Sequence, residues 1–380
     1  MTNNPLRLGF IGGGINSAVG RTHFIAAQMD GLFRIQAGCF SRHQDINAKT
    51  ADQWGVEPQR VHASWEVMLE EEQGQLDAIV ILTPTPHHRL PVISALRAGF
   101  PVICEKALAT SSEKATEMEK VAQETGRLLA VTYNYTGYPM IRELKQMIEN
   151  GRLGRVEQIH VEMPQEGFAR LDREGNPIVP QQWRLTDGPV PTISLDLGVH
   201  VHHLVDFLTG EKPKSVVATQ SSLGRFRQVV DNTMALVSYR GGMEGHFWFS
   251  KAALGHRNGL RVRVYGEGGA AEWLQMDPEF LHFSDNRGQQ RQIDRASPDV
   301  SLAHLDRYNR FKSGHPAGFL EAFANLYSDI SNHIGREIAS VASANPYVFS
   351  ACQAREGLLL LEAIDRSARE RRWINIELEP

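Results

Sequence analysis

The stretch that decides the fold is LRLGFIGGG, residues 6–14 of the 380-residue sequence. Its first six residues form an apolar run with the length of a buried strand, and they lead directly into Gly12, Gly13 and Gly14. Glycines between a strand and a helix let the backbone approach a pyrophosphate, which the N–H groups and the dipole of the helix then stabilise. The stretch therefore predicts the first βα turn of a dinucleotide-binding domain, with Gly12 and Gly14 as cofactor contacts.

This glycine pattern departs from the usual one at its third position. Ser17 stands where a third glycine is expected, three residues after Gly14. Gly20 takes that place if residues 15–19 form a loop three residues longer than the standard one. Because glycine-rich strand ends are often only tight turns, the pattern indicates a cofactor site only if further strands and helices alternate after it.

An alternation of strands and helices continues the pattern through residue 132. Strands are predicted at residues 33–40, 78–82, 102–104 and 128–132, and helices at 45–54, 87–99 and 110–125, the last opened by a capping box of Thr110 and Glu113. Such alternation predicts a parallel sheet covered by helices on both faces, with ligands at the carboxyl ends of the strands. We expect residues 1–133 to form a Rossmann dinucleotide-binding domain.

The end of the second predicted strand bears on the choice between NAD and NADP. Ser41 and Arg42 stand where an NAD-binding protein usually has an acidic residue for the ribose 2′-hydroxyl. A hydroxyl and a guanidinium suit a 2′-phosphate better, so NADP is slightly favoured over NAD. A solvated loop arginine explains Arg42 equally well, and the nearby Asp45 weighs against NADP.

The next two strand ends carry further polar residues. Thr83 and Pro84 begin a stiff turn that enters a helix near His88. Glu105 and Lys106 follow the fourth strand, and a lysine beside a nicotinamide can hold a substrate hydroxyl. The alternative for Lys106 is an ordinary ion pair with Glu105 or another loop carboxylate.

A second candidate group lies on a predicted helix at residues 194–206. Asp196, His200 and His203 are spaced i, i+4 and i+7, which places them along one stripe of a helix. A carboxylate one turn before an imidazole can orient the ring and stabilise its cation, as a general base requires. The alternative is a capping Asp with partly buried histidines. A metal site on His200, His202 and His203 is disfavoured because neighbouring histidines on a helix point in different directions, so no metal is expected.

The second half of the sequence predicts a different architecture. After a helix at 139–150, a strand at 156–163 and a long loop at 164–193, strands are predicted at 215–221, 233–239, 243–249, 260–266 and 270–275, followed by helices at 318–333 and from Asn345-Pro346 to about 372. Successive strands with short turns indicate a large, mostly antiparallel sheet, in a second domain over residues 134–380. Loops as long as 164–193 commonly bind ligands, and Trp183 and Arg184 lie within this one.

Composition excludes several classes of partner. The net charge is 40 − 44 = −4, so no basic field points to nucleic acid or to a membrane surface. Cys39, Cys104 and Cys352 are scattered and odd in number, which argues against a disulfide framework. The start lacks the pattern of a signal peptide, and no apolar run approaches the roughly 20 residues of a membrane helix. We expect a cytoplasmic protein.

Taken together in order, these residues resemble the Gfo/Idh/MocA family of oxidoreductases. The matching features are the glycine turn, Gly20-x-x-His23, Thr83-Pro84 with His88, Glu105-Lys106, Trp183-Arg184 and Asp196-x-Gly198-x-His200. The resemblance implies an NAD(P)-dependent dehydrogenase of a sugar, sugar derivative or cyclitol, with Lys106, Asp196 and His200 as catalytic residues. It also implies cofactor contacts at Thr83, Pro84, His88, Glu105 and Lys106, substrate contacts at Asn134, Arg184 and His203, and a homodimer or homotetramer.

The sequence departs from the family pattern at two places that bear on the roles assigned to its residues by resemblance. Ala107 stands where the family has a proline after the lysine, and VPTIS at residues 190–194 replaces a cluster of glycines before Asp196. The second departure bears on the shape of the substrate pocket. Two other functions remain open, an NAD-dependent glycosidase of the same fold and a non-catalytic nucleotide-binding regulator.

Overall fold

A computed structural model of the protein describes residues 4–338 and 345–377. The strands are β1 (Leu6–Gly12), β2 (Phe33–Cys39), β3 (Ala78–Leu82), β4 (Val102–Glu105), β5 (Leu129–Thr132), β6 (Val156–Pro164), β7 (Pro213–Ser221), β8 (Asn232–Tyr239), β9 (Glu244–Ser250), β10 (Arg261–Gly266), β11 (Gly269–Leu274), β12 (Leu281–Asp285), β13 (Gln290–Ile293) and β14 (Ile374–Asn375). The helices are α1 (Ala18–Gln28), α2 (Gln44–Trp54), α3 (Trp65–Glu71), α4 (Arg89–Arg97), α5 (Ser112–Thr125), α6 (Pro139–Glu149), α7 (Val199–Thr209), α8 (Phe319–Ile338) and α9 (Ala351–Glu370). Within this described part, no helix is long and apolar enough to cross a membrane.

The first sheet confirms the predicted Rossmann arrangement. Its five strands are parallel and lie in the order β2-β1-β3-β4-β5. Every residue of β3, AIVIL, is buried, as expected for a strand covered by helices on both faces. The carboxyl ends of β1, β3 and β4 are therefore neighbours, because these strands are hydrogen-bonded in register along one sheet.

Two predicted helix starts in the sequence are wrong. The cap of α5 is Ser111 and not Thr110, because the Ser111 Oγ accepts the hydrogen bond from the Lys114 N–H at 3.4 Å. The final helix begins at Ala351 and not at Asn345-Pro346, because the Asn345 side chain instead forms a turn with the N–H of Tyr347 at 3.0 Å. Both errors concern a helix boundary, where neighbouring polar residues compete for the same role.

The second sheet has nine strands, in the order β13-β12-β11-β10-β6-β9-β8-β7-β14. All neighbouring pairs are antiparallel except β6 and β9, which confirms the large, mostly antiparallel sheet. The sequence prediction missed β12, β13 and β14. Two of these strands have only four and two residues, too few to show a clear alternation.

The chain forms two compact units whose boundaries differ from the predicted ones. The first unit comprises Met1–Gly137 and Phe319–Arg355, and the second comprises Tyr138–Gly318 and Glu356–Pro380. The sequence pattern predicts that all residues after 133 belong to the second domain. Helix α8 instead belongs to the first unit because it packs along α1, and Tyr327 of α8 hydrogen-bonds to His23 of α1 at 2.7 Å.

Candidate active site

The glycine turn after β1 brings the main chain very close to helix α1. Gly12 and Gly13 have φ values of +81° and +74°, in the region that favours glycine. A Cβ atom on Gly20 would lie 1.8 Å from the carbonyl oxygen of Gly13, so only glycine permits this approach. Gly20 thus takes the role of the missing third glycine. It does so as the third residue of α1, which begins at Ala18, so the loop proposed to reach residue 19 is wrong.

The start of α1 has the features that a pyrophosphate requires. Ser17 is the N-cap residue, and its Oγ accepts from the Gly20 N–H at 3.1 Å. Gly14 is fixed against the end of β2, since its N–H donates to the Phe40 carbonyl at 3.1 Å. A glycine main chain held at a helix N-terminus, with no room for Cβ atoms at Gly12, Gly13 or Gly20, fits a bound dinucleotide.

The loop after β2 places the two residues proposed to select the cofactor. The Ser41 Oγ accepts from the His43 N–H at 3.1 Å, and the Arg42 side chain is exposed. Asn47 holds this strand end, because it accepts from the Phe40 N–H and donates to the His62 carbonyl, both at 2.8 Å. Ser41 and Arg42 therefore extend from a firmly fixed strand end.

His88 joins two of the strand ends and is itself buried. Its Nε2 lies 2.6 Å from the Thr83 carbonyl oxygen, and its Nδ1 lies 2.9 Å from that of Ala107. Only 1% of the residue is exposed, and burial lowers the pKa of His88 despite these carbonyls. The ring therefore connects the turn after β3 to the turn after Lys106 through two main-chain carbonyl groups.

Glu105 is the last residue of β4 and Lys106 follows it, and the two side chains have different surroundings. Glu105 is 7% exposed, and its Oε1 is 3.0 Å from His23 Nε2 and also accepts from the Thr132 hydroxyl. Burial alone raises the pKa of Glu105, but the polar and charged groups around it, first among them the hydrogen bond from His23 and then the charge of Lys106, lower this pKa below its ordinary value. Lys106 is half-buried, and the peptide bond between Lys106 and Ala107 is cis.

In the second unit, the predicted helix at 194–206 begins with an irregular turn. Ser194–Gly198 is a π-helical turn, and α7 continues from Val199. The predicted regular spacing from Asp196 to His203 is therefore wrong between Asp196 and His200, because a π turn changes the angle between successive residues. Turns of this kind are frequent at functional sites. The glycine of the D-x-G-x-H motif is Gly198, and close packing explains why it is glycine, since a Cβ there would lie 2.7 Å from the Leu361 side chain.

Asp196 forms ion pairs with two cations of the second unit. Arg184 comes from the long loop and also lies over the ring of Trp183, 4.5 Å from its centroid. Lys251 directly follows β9, and its Nζ contacts the same Oδ2 of Asp196. The structure thus joins the predicted residues Arg184 and Asp196. Lys251 was missed, and no local pattern distinguishes it from other lysines after a strand.

The histidines of α7 are deeply buried. His200 is 4% exposed and His203 is 3% exposed. The His203 ring is stacked with Phe207 at a centroid distance of 6.4 Å, and burial lowers the pKa of His203 to about 3. His203 is therefore uncharged at neutral pH. Among residues 4–338 and 345–377, no cluster of three or more His, Cys, Asp or Glu side chains could hold a metal ion.

Asn134 begins the 3₁₀ turn Asn134–Gly137 that leaves β5. It is 4% exposed, and its Nδ2 makes no hydrogen bond to the described residues. A buried amide donor without a partner costs free energy unless a ligand or water completes it. The contact of Asn134 with a ligand stays a prediction, and its Nδ2 is the atom that would make it.

Comparison with known proteins relates both units to one family. Residues 6–133 match the model described as an oxidoreductase family with an NAD-binding Rossmann fold, and residues 141–272 match the Gfo/Idh/MocA C-terminal domain. An oxidoreductase structure from Sinorhizobium meliloti is 33% identical, with a TM-score of 0.85, over 98% of this chain and 100% of that one.

The chain belongs to the Gfo/Idh/MocA family. It is similar to an inositol dehydrogenase homolog from Azotobacter vinelandii, complexed with NADH and myo-inositol, at 27% identity and a TM-score of 0.88 over 98% of each chain. An uncharacterized oxidoreductase of Bacillus subtilis is 29% identical over 97% of this chain and 96% of its own. As a Gfo/Idh/MocA protein, the chain is an NAD-binding oxidoreductase.

Proposed function

We propose that the protein transfers a hydride between a nicotinamide cofactor and a secondary alcohol or ketone of a sugar, sugar derivative or cyclitol. The observation that carries the proposal is the pairing of Asp196 with Arg184 and Lys251 on the turn that leads into His200. A carboxylate held by two cations stays ionised and keeps its orientation. Family membership and the inositol dehydrogenase homolog with NADH and myo-inositol support the substrate class.

Each member of the proposed catalytic set has a separate task. A ring nitrogen of His200 takes the proton from the substrate hydroxyl during oxidation. Asp196 orients the His200 ring and stabilises its cationic form, and the Lys106 Nζ donates a hydrogen bond to the substrate oxygen. The nicotinamide, when bound, supplies the hydride acceptor or donor. The protein has to hold these groups and exclude water around them.

The residues proposed to hold the cofactor lie at the ends of the strands of the first unit. Gly12 and Gly14 would hold the pyrophosphate with main-chain groups, and Thr83 and Pro84 would line the next strand end. Ser41 and Arg42 would meet the adenosine ribose, with NADP slightly favoured because Arg42 is exposed and no acidic residue takes its place.

Three further residues are proposed to meet the substrate. Asn134 would donate through its Nδ2, and Arg184 would act from the long loop of the second unit. His203 would take part only as a neutral ring, because its pKa is lowered to about 3 by burial. A neutral imidazole can both donate and accept, which suits a sugar hydroxyl.

We also propose a homodimer or homotetramer. Met234 and Leu236 of β8 are 48% and 49% exposed, and Trp373, next to β14, is 47% exposed. These side chains belong to the nine-stranded sheet or its edge, and exposed apolar side chains grouped on one sheet are typical of an interaction surface. Sedimentation of the purified protein would measure its oligomeric state.

The experiment that tests the proposed reaction is a substrate panel. Sugars, sugar acids and cyclitols are incubated with NAD⁺ and with NADP⁺, and the formation of reduced nicotinamide is followed, with a chelated and dialysed sample as a parallel arm. We expect oxidation of at least one polyol in both arms. Cofactor binding without turnover of any polyol would favour a regulator, and aglycone release from glycosides without net cofactor change would favour a glycosidase.

A further inference from the structure

A buried chain of three side chains ends at Glu105, the residue before Lys106. The Tyr327 hydroxyl lies 2.7 Å from His23 Nδ1, and His23 Nε2 lies 3.0 Å from Glu105 Oε1. His23 is 0% exposed and Tyr327 is 1% exposed. The three residues come from α8, α1 and the end of β4, so tertiary packing alone brings them together.

The donors and acceptors of this chain have one consistent arrangement with a neutral His23. Burial and the charge of Glu105 raise the pKa of Tyr327 well above its ordinary value, so its hydroxyl keeps its proton. The hydroxyl can then donate to Nδ1, which leaves the ring proton on Nε2, where it is donated to the Glu105 carboxylate. A Tyr327 hydroxyl that donates to Nδ1 thus favours, together with the Glu105 carboxylate, the tautomer of His23 that donates to Glu105.

Glu105 receives a second donor in addition to His23. The Thr132 hydroxyl donates to the same Oε1, from the strand that pairs with β4. Two donors on one buried carboxylate fix its orientation and favour its charged form. The ammonium of Lys106 is one of the charges that stabilise this anion, and the attraction is mutual.

The position of the helix that carries His23 is also fixed. The contact between Gly20 and Gly13 sets α1 against the glycine turn, and His23 lies almost one turn further along that helix. The Phe323 ring packs edge-on against His23 at a centroid distance of 4.9 Å. The motif Gly20-x-x-His23 therefore links the glycine turn after β1 to the end of β4, which Lys106 follows.

We propose that Tyr327 and His23 are positioning residues, which fix the orientation and the charge of Glu105 and, through it, the ammonium of Lys106. This inference rests on the proposed function, in which Lys106 binds the reacting oxygen. A purely structural role would stabilise the first unit without any effect that depends on Lys106.

The test uses Tyr327→Phe, which removes one hydroxyl and keeps the ring, and Thr132→Val, which removes the other donor to Glu105. Each should lower kcat by about three- to tenfold, the effect of losing one ordinary hydrogen bond. The KM for the sugar and the affinity for cofactor should change little. In a Lys106→Met background, Tyr327→Phe should have no further effect on kcat, because both changes act on one group.

A second measurement is independent of activity. In cofactor-free protein labelled with ¹⁵N-histidine, Tyr327→Phe should shift the ring-nitrogen signals of His23, which are identified by their loss in His23→Gln. Tyr308→Phe is the matched control, because the Tyr308 hydroxyl is also buried and hydrogen-bonded to a charged side chain, Arg142 at 3.0 Å. It should lower stability without changing kcat.

The outcomes separate the inference from the proposed function. Near wild-type turnover in Lys106→Met would overturn the role of Lys106, whatever Tyr327→Phe does. A loss of activity in Lys106→Met, with an equal and fully additive loss from Tyr327→Phe in both backgrounds, would overturn the positioning role alone. Unchanged His23 signals in Tyr327→Phe would also overturn it.

Discussion

Lys251, the residue after β9, forms an ion pair with Asp196, one π-helical turn before α7. Arg184 contacts the same carboxylate from the long loop. The main chain of Lys251 is held on both sides, because its N–H donates to the Asp231 carbonyl and its carbonyl accepts from the Phe168 N–H, both at 2.8 Å. Asp196 is therefore paired with a lysine whose main chain is itself held in place.

Replacing Lys251 by Met should lower kcat, because Asp196, which is proposed to orient His200, loses its ion pair with Lys251. A hydrogen bond to a charged group contributes about 1.5–3 kcal/mol, so we expect a loss of about tenfold or more. Cofactor affinity should be unchanged, as the residues proposed to bind it lie in the first unit. Steady-state kinetics and cofactor titration measure both quantities.

The matched control is Lys212→Met. Lys212 also bridges two carboxylates of the second unit, Asp206 at 2.8 Å and Glu356 at 2.6 Å. Its loss should lower the free energy of unfolding and leave kcat near the wild-type value. Equal effects of the two substitutions on kcat would show that Lys251 has no special relation to catalysis.

Replacing Gly20 by Ala should abolish dinucleotide binding. The added Cβ would lie 1.8 Å from the Gly13 carbonyl oxygen, so α1 and the glycine turn must separate. We expect a lower melting temperature and a loss of NAD(P)H fluorescence enhancement. Gly335→Ala is the control, because Gly335 lies in α8 of the same unit with no atom within 4 Å of the added Cβ. Gly335→Ala should stabilise the protein by up to about 1 kcal/mol. Nucleotide binding by Gly20→Ala with wild-type affinity would show that the close approach of Gly20 to Gly13 is not needed for the cofactor site.

The fold of the first unit could be predicted from sequence because its signals are local. The run at residues 6–14 combines the residues of a strand with a group of glycines, and both can be read from consecutive residues. The structure gives two of these glycines, Gly12 and Gly13, positive φ values. The sheet of the second unit was predicted from alternation in the same way, except at its short strands. The glycine of the D-x-G-x-H motif is different, because the close packing of Gly198 against Leu361 that requires it joins distant parts of the sequence.

The contacts that complete the candidate site could not be predicted in this way. Tyr327 is separated from His23 by 304 residues, and nothing near either residue in the sequence indicates the other. Lys251 and Asp196 are also brought together only by the packing of the turn Ser194–Gly198 on β9. Even the assignment of α8 to the first unit depends on such a contact, which explains why the predicted domain boundaries differ from the compact units.

His203 should make the stability of the protein depend on pH. Burial lowers the pKa of His203 to about 3 in the folded protein, against an ordinary value near 6.5. The charge of Asp206 raises this pKa by a smaller amount, and His202 lowers it slightly further. As the pH falls below about 6.5, the unfolded chain binds a proton that the folded protein does not, so stability decreases by up to about 1.4 kcal/mol per pH unit.

His203→Phe removes this titrating group and keeps a ring beside Phe207. Urea unfolding at pH 5 and pH 7 should show a smaller loss of stability at low pH in the variant than in the wild type. His202, whose pKa is also lowered by burial, retains part of the pH dependence in both proteins. If the variant and the wild type lose the same free energy of unfolding between pH 7 and pH 5, His203 is not neutral in the folded state.

Arg42→Ala should weaken NADPH binding by about tenfold or more, because a guanidinium contact with a 2′-phosphate is charge-assisted. NADH binding should be nearly unchanged. Arg34→Ala is the control, since Arg34 is an exposed arginine of β2 and its loss changes the net charge equally. Fluorescence titration with both nucleotides measures the effect. Tighter binding of NADH in the wild type, unaffected by Arg42→Ala, would rule out the preference for NADP.

The pH dependence of kcat in His200→Ala tests most directly whether His200 is the general base of a polyol dehydrogenase, as proposed. A general base contributes about 10²–10⁴-fold, so kcat for the best substrate of the panel should fall by that factor. The acidic limb of the profile should disappear, while nucleotide affinity stays close to that of the wild type. Near wild-type turnover with an intact acidic limb would show that another residue takes the proton.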